Sequence, residues 1–238
     1  MLDNHNVKEI AKEAFLYIET VKKNVDLNEM DQIIETFIFD QIKSKTTEIK
    51  IVSEEYGNLV LGIPKQTIII DPIDGSGNLI RGIPIYSVAI ALCNGDLQEV
   101  GVEDIEYSIV VSTFGLFEAR KEDMIEEQNV DILSISEALI RCIRPFRMRL
   151  LGASTVELCL LAKGSIDGFI EKNGLKSVDL LPVLLILKNH GCYFSDTYGN
   201  ELKFSLSNPK DNCYKVIASR SKDLFEKLLN DVKEQMHE

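Results

Sequence analysis

Asp71-Pro72-Ile73-Asp74-Gly75-Ser76-Gly77-Asn78 is the stretch that decides the reading of this chain. It follows a β-branched run at 67–70, which predicts a buried strand stopping at Asp71. Pro72 fixes its own φ and keeps Asp71 out of the helical region, so the first carboxylate is held extended. A sharp turn is then expected to bring Asp74 back towards Asp71, with the carbonyl of Ile73 directed at the same point. Carboxylate and carbonyl oxygens are hard donors that suit Mg²⁺, which favours octahedral oxygen coordination. Gly75 and Gly77 leave backbone N–H groups unshielded, Ser76 adds a hydroxyl, and a helical turn from Asn78 onward would complete an anion site. Pro-x-Asp-Gly is also an ordinary turn, with Asp71 as a cap and no chemistry. The eight residues alone leave both readings standing.

Working outward, residues 7–23 and 28–43 carry apolar positions at helical spacing. Residues 49–53 read as a short strand leading into Glu54 and Glu55, a further source of carboxylate. Residues 86–93 read as a strand closed by an Asn94-Gly95-Asp96 hairpin turn, and 99–117 as two or three more strands. Residues 121–136 are acidic, polar and without period, and a helix is expected at 136–142. Gly152-Ala153-Ser154 precedes a helix ending near Gly164, followed by a strand at 165–171 and a helix at 177–190 with Pro182 in its first turn. Strands at 193–196, 201–204 and 214–219 and a helix at 222–235 finish the chain. No internal repeat or low-complexity linker interrupts it. The alternation predicts an α/β (α+β) layered sandwich, in one domain over 1–238 or two sub-lobes joined near 100–150.

The 238 residues are 45% hydrophobic and carry a formal net charge of −12. That surface repels nucleic acid and anionic membranes, so neither is an expected partner. An anionic substrate stays compatible, because bound divalent cations invert the local field. The five cysteines are odd in number and without a C-x-x-C pair, which predicts buried reduced thiols rather than disulfides or a zinc site. No apolar run reaches the roughly 18 residues of a membrane span, and no signal core opens the chain, so a cytoplasmic protein is expected.

With Ser53-Glu54-Glu55 placed before Asp71-Pro72-Ile73-Asp74-Gly75-Ser76, and Ser177-Val178-Asp179 opening a helix that ends at His190-Gly191, the chain resembles the inositol monophosphatase family. Leu151-Gly152-Ala153-Ser154 and Gly164-Ser165-Ile166-Asp167-Gly168 stand between these blocks in the family's order, and the resemblance covers roughly residues 7 to 220. The Val-Asp form and the segment Gly199-Asn200-Glu201-Leu202-Lys203-Phe204 look most like archaeal members that act on inositol monophosphate and fructose 1,6-bisphosphate. Gly77 and Leu79 depart from the usual Thr and Phe, and Val178 from the usual Trp. The family's glycine-rich hairpin is missing or shortened around 117–131.

The resemblance implies a sugar-phosphatase αβαβα sandwich, a homodimer, and two or three Mg²⁺ ions. Glu54, Asp71 and the Ile73 carbonyl would hold one ion. Asp71, Asp74 and Asp179 would hold the second, with Glu54 helping a weaker third through water. The N–H groups of Gly75 and Ser76 would hold phosphate. The Ser76 hydroxyl, bonded to Asp31, would orient the attacking water. Gly152, Ala153, Glu171 and Asp179 fall at substrate contacts, and Lys176 is a candidate for substrate charge. Each position also has a plain structural reading. Asp179 suits a helix first turn, Asp31 an exposed helix face, Glu171 a surface, Ser154 an N-cap, His190 a helix end, and Arg147 and Arg149 a solvated basic strand.

No cysteine or histidine nucleophile stands out in these motifs, so direct attack by a metal-activated water on a small phosphate monoester is the simplest expected chemistry. An adenosine 3′,5′-bisphosphate nucleotidase shares the signatures but needs a base-binding surface, and no added segment supplies one. A catalytically silent metal- or phosphate-binding regulator would be expected to have lost a ligand, and none of the implied ligands is lost.

Overall fold

The computed structural model describes residues 1–23, 25–26, 29–123, 133–135 and 148–235. Two helices open the chain, α1 (Asn4–Val21) and α2 (Met30–Lys45). Asp3 caps α1 by accepting from the Asn6 N–H at 2.7 Å. Six strands follow in a mixed sheet: β1 (Ile49–Ser53), β2 (Gly57–Leu61), β3 (Gln66–Asp74), β4 (Ser87–Asn94), β6 (Ile105–Ser112) and β7 (Gly115–Arg120), ordered β2-β1-β3-β4-β6-β7. The short helix α3 (Ser76–Ile80) leaves the end of β3. A second sheet has the order β11-β13-β10-β8-β9, from β8 (Leu133–Ile135), β9 (Met148–Arg149), β10 (Gly168–Lys176), β11 (Tyr193–Ser195) and β13 (Cys213–Ser219). β5 (Glu99–Gly101) and β12 (Lys203–Ser205) form a separate two-stranded ribbon. Three further helices complete the fold: α4 (Ser154–Lys163), α5 (Ser177–Asn189) and α6 (Lys222–Gln235).

The layering follows from strands that are apolar on both faces. Ile68 and Ile70 pack with Ile10, Ile18, Ile34 and Ile38 of α1 and α2, whereas Ile69 packs with Leu158 of α4 and Leu181 of α5. A strand buried on both sides reads as a continuous β-branched run. α5 is apolar nearly all round because it lies between the two sheets. α6 closes the outer face of the second sheet through Leu228 and Val232 against Ile170 and Ile217. The result is the expected helix–sheet–helix–sheet–helix sandwich. Among the described residues, no helix is long and apolar enough to cross a membrane.

Several local expectations are corrected. β3 does not stop at Asp71 but continues to Asp74 through an irregularity, because β4 goes on pairing with it. The Asn94-Gly95-Asp96 turn does not close a hairpin within the large sheet, since β4 pairs with β6 and β5 leaves to join β12. β2, carrying Leu59 and Leu61 against the α1–α2 core, was not expected. The strand expected at 165–171 begins at Gly168 and runs to Lys176. Pro182 is the sixth residue of α5 rather than part of its first turn, so it removes one intrahelical donor. Cys93, Cys159 and Cys192 are buried free thiols, but Cys213 is exposed. Cys142, Arg147 and the helix expected at 136–142 lie outside the described residues, and so does most of 121–136.

Candidate active site

The irregularity in β3 assembles the site. Asp71 stands opposite Ala89 and Asp74 opposite Ser87, so three steps along β3 match two along β4. In a regular strand, residues three apart face opposite sides; one extra residue puts them on the same side. Ile73 accordingly packs into the α1–α2 core. Asp74 faces α4, where its Oδ2 accepts the N–H groups of Thr155 at 3.0 Å and Val156 at 3.3 Å. Asp71 Oδ1 accepts the Ile73 N–H at 3.1 Å, while Asp71 Oδ2 is buried with no hydrogen-bond partner.

Three distant segments meet there. Glu54 arrives from the end of β1, Asp71 from β3 and Asp179 from the first turn of α5, and one carboxylate oxygen from each lies within 4.8 Å of the others. Asp179 also holds the start of α5 by accepting the Lys176 N–H at 2.8 Å, so its helix-start reading and its place in the cluster are both realised. The Lys176 ammonium bonds to Glu54 Oε1 at 2.7 Å. The structure therefore brings Glu54, Asp71, Asp179 and Lys176 together, and Asp74 borders them on the α4 side.

Gly75 has φ +85, and a Cβ there would meet the Ile85 carbonyl oxygen at 2.7 Å and the Ala153 Cβ at 3.0 Å, so only glycine fits. Ser76 starts α3 beside it. The Asn78 amide donates to the carbonyls of Ile85 (2.9 Å), Leu151 (2.7 Å) and Gly152 (3.2 Å). Glu157 accepts the N–H groups of Leu151 and Gly152. Gly152 and Ala153 are thus clamped against the Gly75–Ser76 turn.

Of the other positions, Arg149 and His190 fall where their plain structural readings put them. No hydrogen bond joins Asp31 to Ser76 among the described residues; Asp31 instead feels the charges of Glu54 and Glu55. Glu171 turns its Oε1 to the N–H groups of Asn173 and Gly174, at the bulge of its own strand, rather than to the carboxylate cluster. Arg149 is exposed on β9. His190 sits at the end of α5 with its ring nitrogen 2.8 Å from the Ile186 carbonyl oxygen.

Sequence reasoning missed two buried carboxylates. Glu35 accepts the N–H groups of Glu55 at 3.0 Å and Tyr56 at 3.1 Å, and so fixes the turn that presents Glu54. Glu157 fixes the segment at 151–152. The available signal was an acidic residue amid the apolar face of a helix, Glu35 between Ile34 and Ile38.

Crowding of negative charge in an apolar setting raises every shifted carboxyl of the cluster. Burial, then Glu54, lifts Asp31 to about 7 and Asp179 to about 6. Burial, then Asp179, lifts Asp74 to about 7. Burial, then Glu54 and Asp179, lifts Asp71 well above the ordinary value. Hard oxygen donors, an unpartnered buried Asp71 oxygen and mutual repulsion all fit a divalent cation held by Glu54, Asp71 and Asp179.

The sign of the pH response follows. Groups with raised folded-state pKa bind more protons folded than unfolded, so stability falls as pH rises from about 4 through about 7. In EDTA, Tm is expected to drop between pH 5 and 8, and a saturating divalent cation is expected to flatten the drop. A Tm that rises over this range in EDTA would exclude the charge crowding described.

A family model described as "Inositol monophosphatase family" matches residues 5–103 and 111–237. A fructose-1,6-bisphosphatase/inositol-1-monophosphatase of Methanocaldococcus jannaschii is 28% identical, over 94% of this chain and 95% of its own. A fructose-1,6-bisphosphatase of Pyrococcus furiosus is also 28% identical, over 84% and 82%. A crystal structure described as an inositol monophosphatase–fructose 1,6-bisphosphatase superposes with a TM-score of 0.83 at 25% identity, covering 97% of this chain and all of the other.

Proposed function

The chain belongs to the inositol monophosphatase family and is a phosphoric monoester hydrolase, and we propose that it hydrolyses inositol monophosphate, fructose 1,6-bisphosphate or both, with Mg²⁺. The observation that carries the metal reading is the buried, unpartnered Oδ2 of Asp71, a carboxylate clustered with Glu54 and Asp179. The substrate reading rests on the likeness to the archaeal relatives.

In this reading Glu54, Asp71, the Ile73 carbonyl, Asp74 and Asp179 would hold two or three cations. Bound divalent cations supply Lewis acidity, acidifying water and drawing charge from the leaving oxygen. The chain's own residues do the positioning. The N–H groups of Gly75 and Ser76 receive the phosphoryl oxygens in a turn that only glycine can make. The Ser76 hydroxyl orients the attacking water. Asp31, lifted to about 7 by burial and then by the Glu54 charge while the site holds no cation, is the carboxyl that would help position this water. Gly152 and Ala153 are held by Asn78 and Glu157 on the side where the alcohol part of the ester would lie. Lys176 faces the charged end of the substrate. Glu171 serves the substrate only if its strand bulge opens. The same reading carries a homodimeric assembly.

Phosphate release from inositol 1-phosphate and fructose 1,6-bisphosphate, with Mg²⁺ and with excess EDTA, tests this. Release from at least one ester that EDTA abolishes is expected. Release that survives EDTA would overturn the metal reading, and no release from either ester at any Mg²⁺ concentration would overturn the substrate reading.

A further inference from the structure

Lys176 does two things at once. Its backbone N–H is fixed by Asp179, and its ammonium is bonded to Glu54, so one residue ties together two of the three clustered carboxylates. The bond to Glu54 spans 122 positions of sequence, joining the start of α5 to the end of β1. Burial opposes the Lys176 charge, yet the Glu54 hydrogen bond and the fields of Glu54, Asp179 and Asp71 outweigh it and hold its pKa above the ordinary lysine value. The lysine side chain is also 34% exposed. A compact ammonium on a flexible four-carbon stem with a path to solvent can leave its partner without moving the backbone. An Arg fork engaged bidentately would release far less readily.

Resting on the metal reading above, we infer that Lys176 is the built-in counter-ion of the carboxylate cluster, exchanged for the divalent cation on metal binding. The ammonium and a cation between Glu54, Asp71 and Asp179 draw on the same Glu54 carboxylate. Two positive charges there repel each other, so the entering cation must release the lysine. Lys176 thereby sets the metal affinity of the site: it keeps the cluster folded before the cation arrives and weakens cation binding in proportion.

Mg²⁺ titrated into the EDTA-treated and dialysed full chain, with binding read by calorimetry, tests the exchange. Lys176→Met is expected to bind Mg²⁺ about tenfold more tightly than wild type. In EDTA its Tm is expected to be lower than wild type, and Mg²⁺ should restore it. Lys172→Met, which removes an equal charge from the same strand without a bond to the cluster, is expected to stay within about twofold of wild type. Lys176→Arg should bind no tighter than wild type. Should Lys176→Met not fold, Lys176→Gln removes the same charge. Equal or weaker binding in the neutral variants overturns the exchange alone, as does equal tightening by Lys172→Met or Lys176→Arg. Absence of Mg²⁺ binding in wild type and variants alike overturns both the exchange and the metal reading.

Discussion

Asp71→Asn is expected to abolish phosphate release while making the metal-free protein more stable. Asp71 is 1% exposed, its Oδ2 has no donor, and it faces the charges of Glu54, Asp179, Asp74 and Asp31. Uncompensated buried charge is among the costliest features a fold can keep. Asparagine retains the oxygen that accepts the Ile73 N–H and replaces the unpartnered oxygen with an amide that can donate to Glu54 or Asp179. At pH 8 in EDTA the variant should gain about 1–3 kcal/mol. For a chain of this length each kcal/mol is roughly 2–4 °C in Tm. With saturating Mg²⁺ the order should invert, because wild type gains the free energy of binding and the variant does not. Turnover should fall by about 10³-fold or more, equivalent to roughly 4 kcal/mol of barrier. The decisive measurement is thermal unfolding in EDTA and in Mg²⁺. A variant less stable than wild type in EDTA would show that Asp71 serves the fold rather than the chemistry.

Asp74 should behave in the opposite way. Its Oδ2 receives the first N–H groups of α4, so it anchors that helix as well as bordering the cluster. Asp74→Asn keeps an oxygen for these donors and should fold, with phosphate release reduced to background. Asp74→Ala leaves both donors without an acceptor and should cost about 1–2 kcal/mol in addition. Comparing the two by denaturant unfolding separates the anchoring of α4 from the loss of charge. Unchanged hydrolysis by Asp74→Asn would remove the proposed chemistry, and equal stability of the two variants would remove the anchoring role.

The contrast between these aspartates marks where sequence reading reaches its end. Both were legible as carboxylates at a strand end, and so was the glycine turn that follows. The reading failed at the strand's end point: whether β3 stops or continues past Pro72 depends on what β4 pairs with, and β4 lies beyond an intervening helix. The register shift puts Asp71 and Asp74 on one side, where a tight turn had been expected to do so. Glu171 shows a second arrangement that local sequence does not carry. The family pattern placed it at substrate, but a bulge between Glu171 and Leu175 draws its carboxylate into its own backbone.

The sequence by itself determined most of the helices and strands and the run of oxygen donors after β3. Periodicity marked α1 and α2, β-branching marked β3, and Asp71, Asp74 and Gly75 set oxygen donors beside a glycine turn. These are properties of neighbouring residues, governed by local backbone and side-chain preference. Only the tertiary structure decided that Glu54, Asp71 and Asp179 meet, that Lys176 bonds to Glu54, that Glu35 shapes the Glu54 turn and that Glu157 holds the segment at 151–152. Those contacts depend on how two sheets stack around α4 and α5, and the burial that drives the stacking is non-directional. It is the strand pairing and helix starts formed along the way that aim each carboxylate.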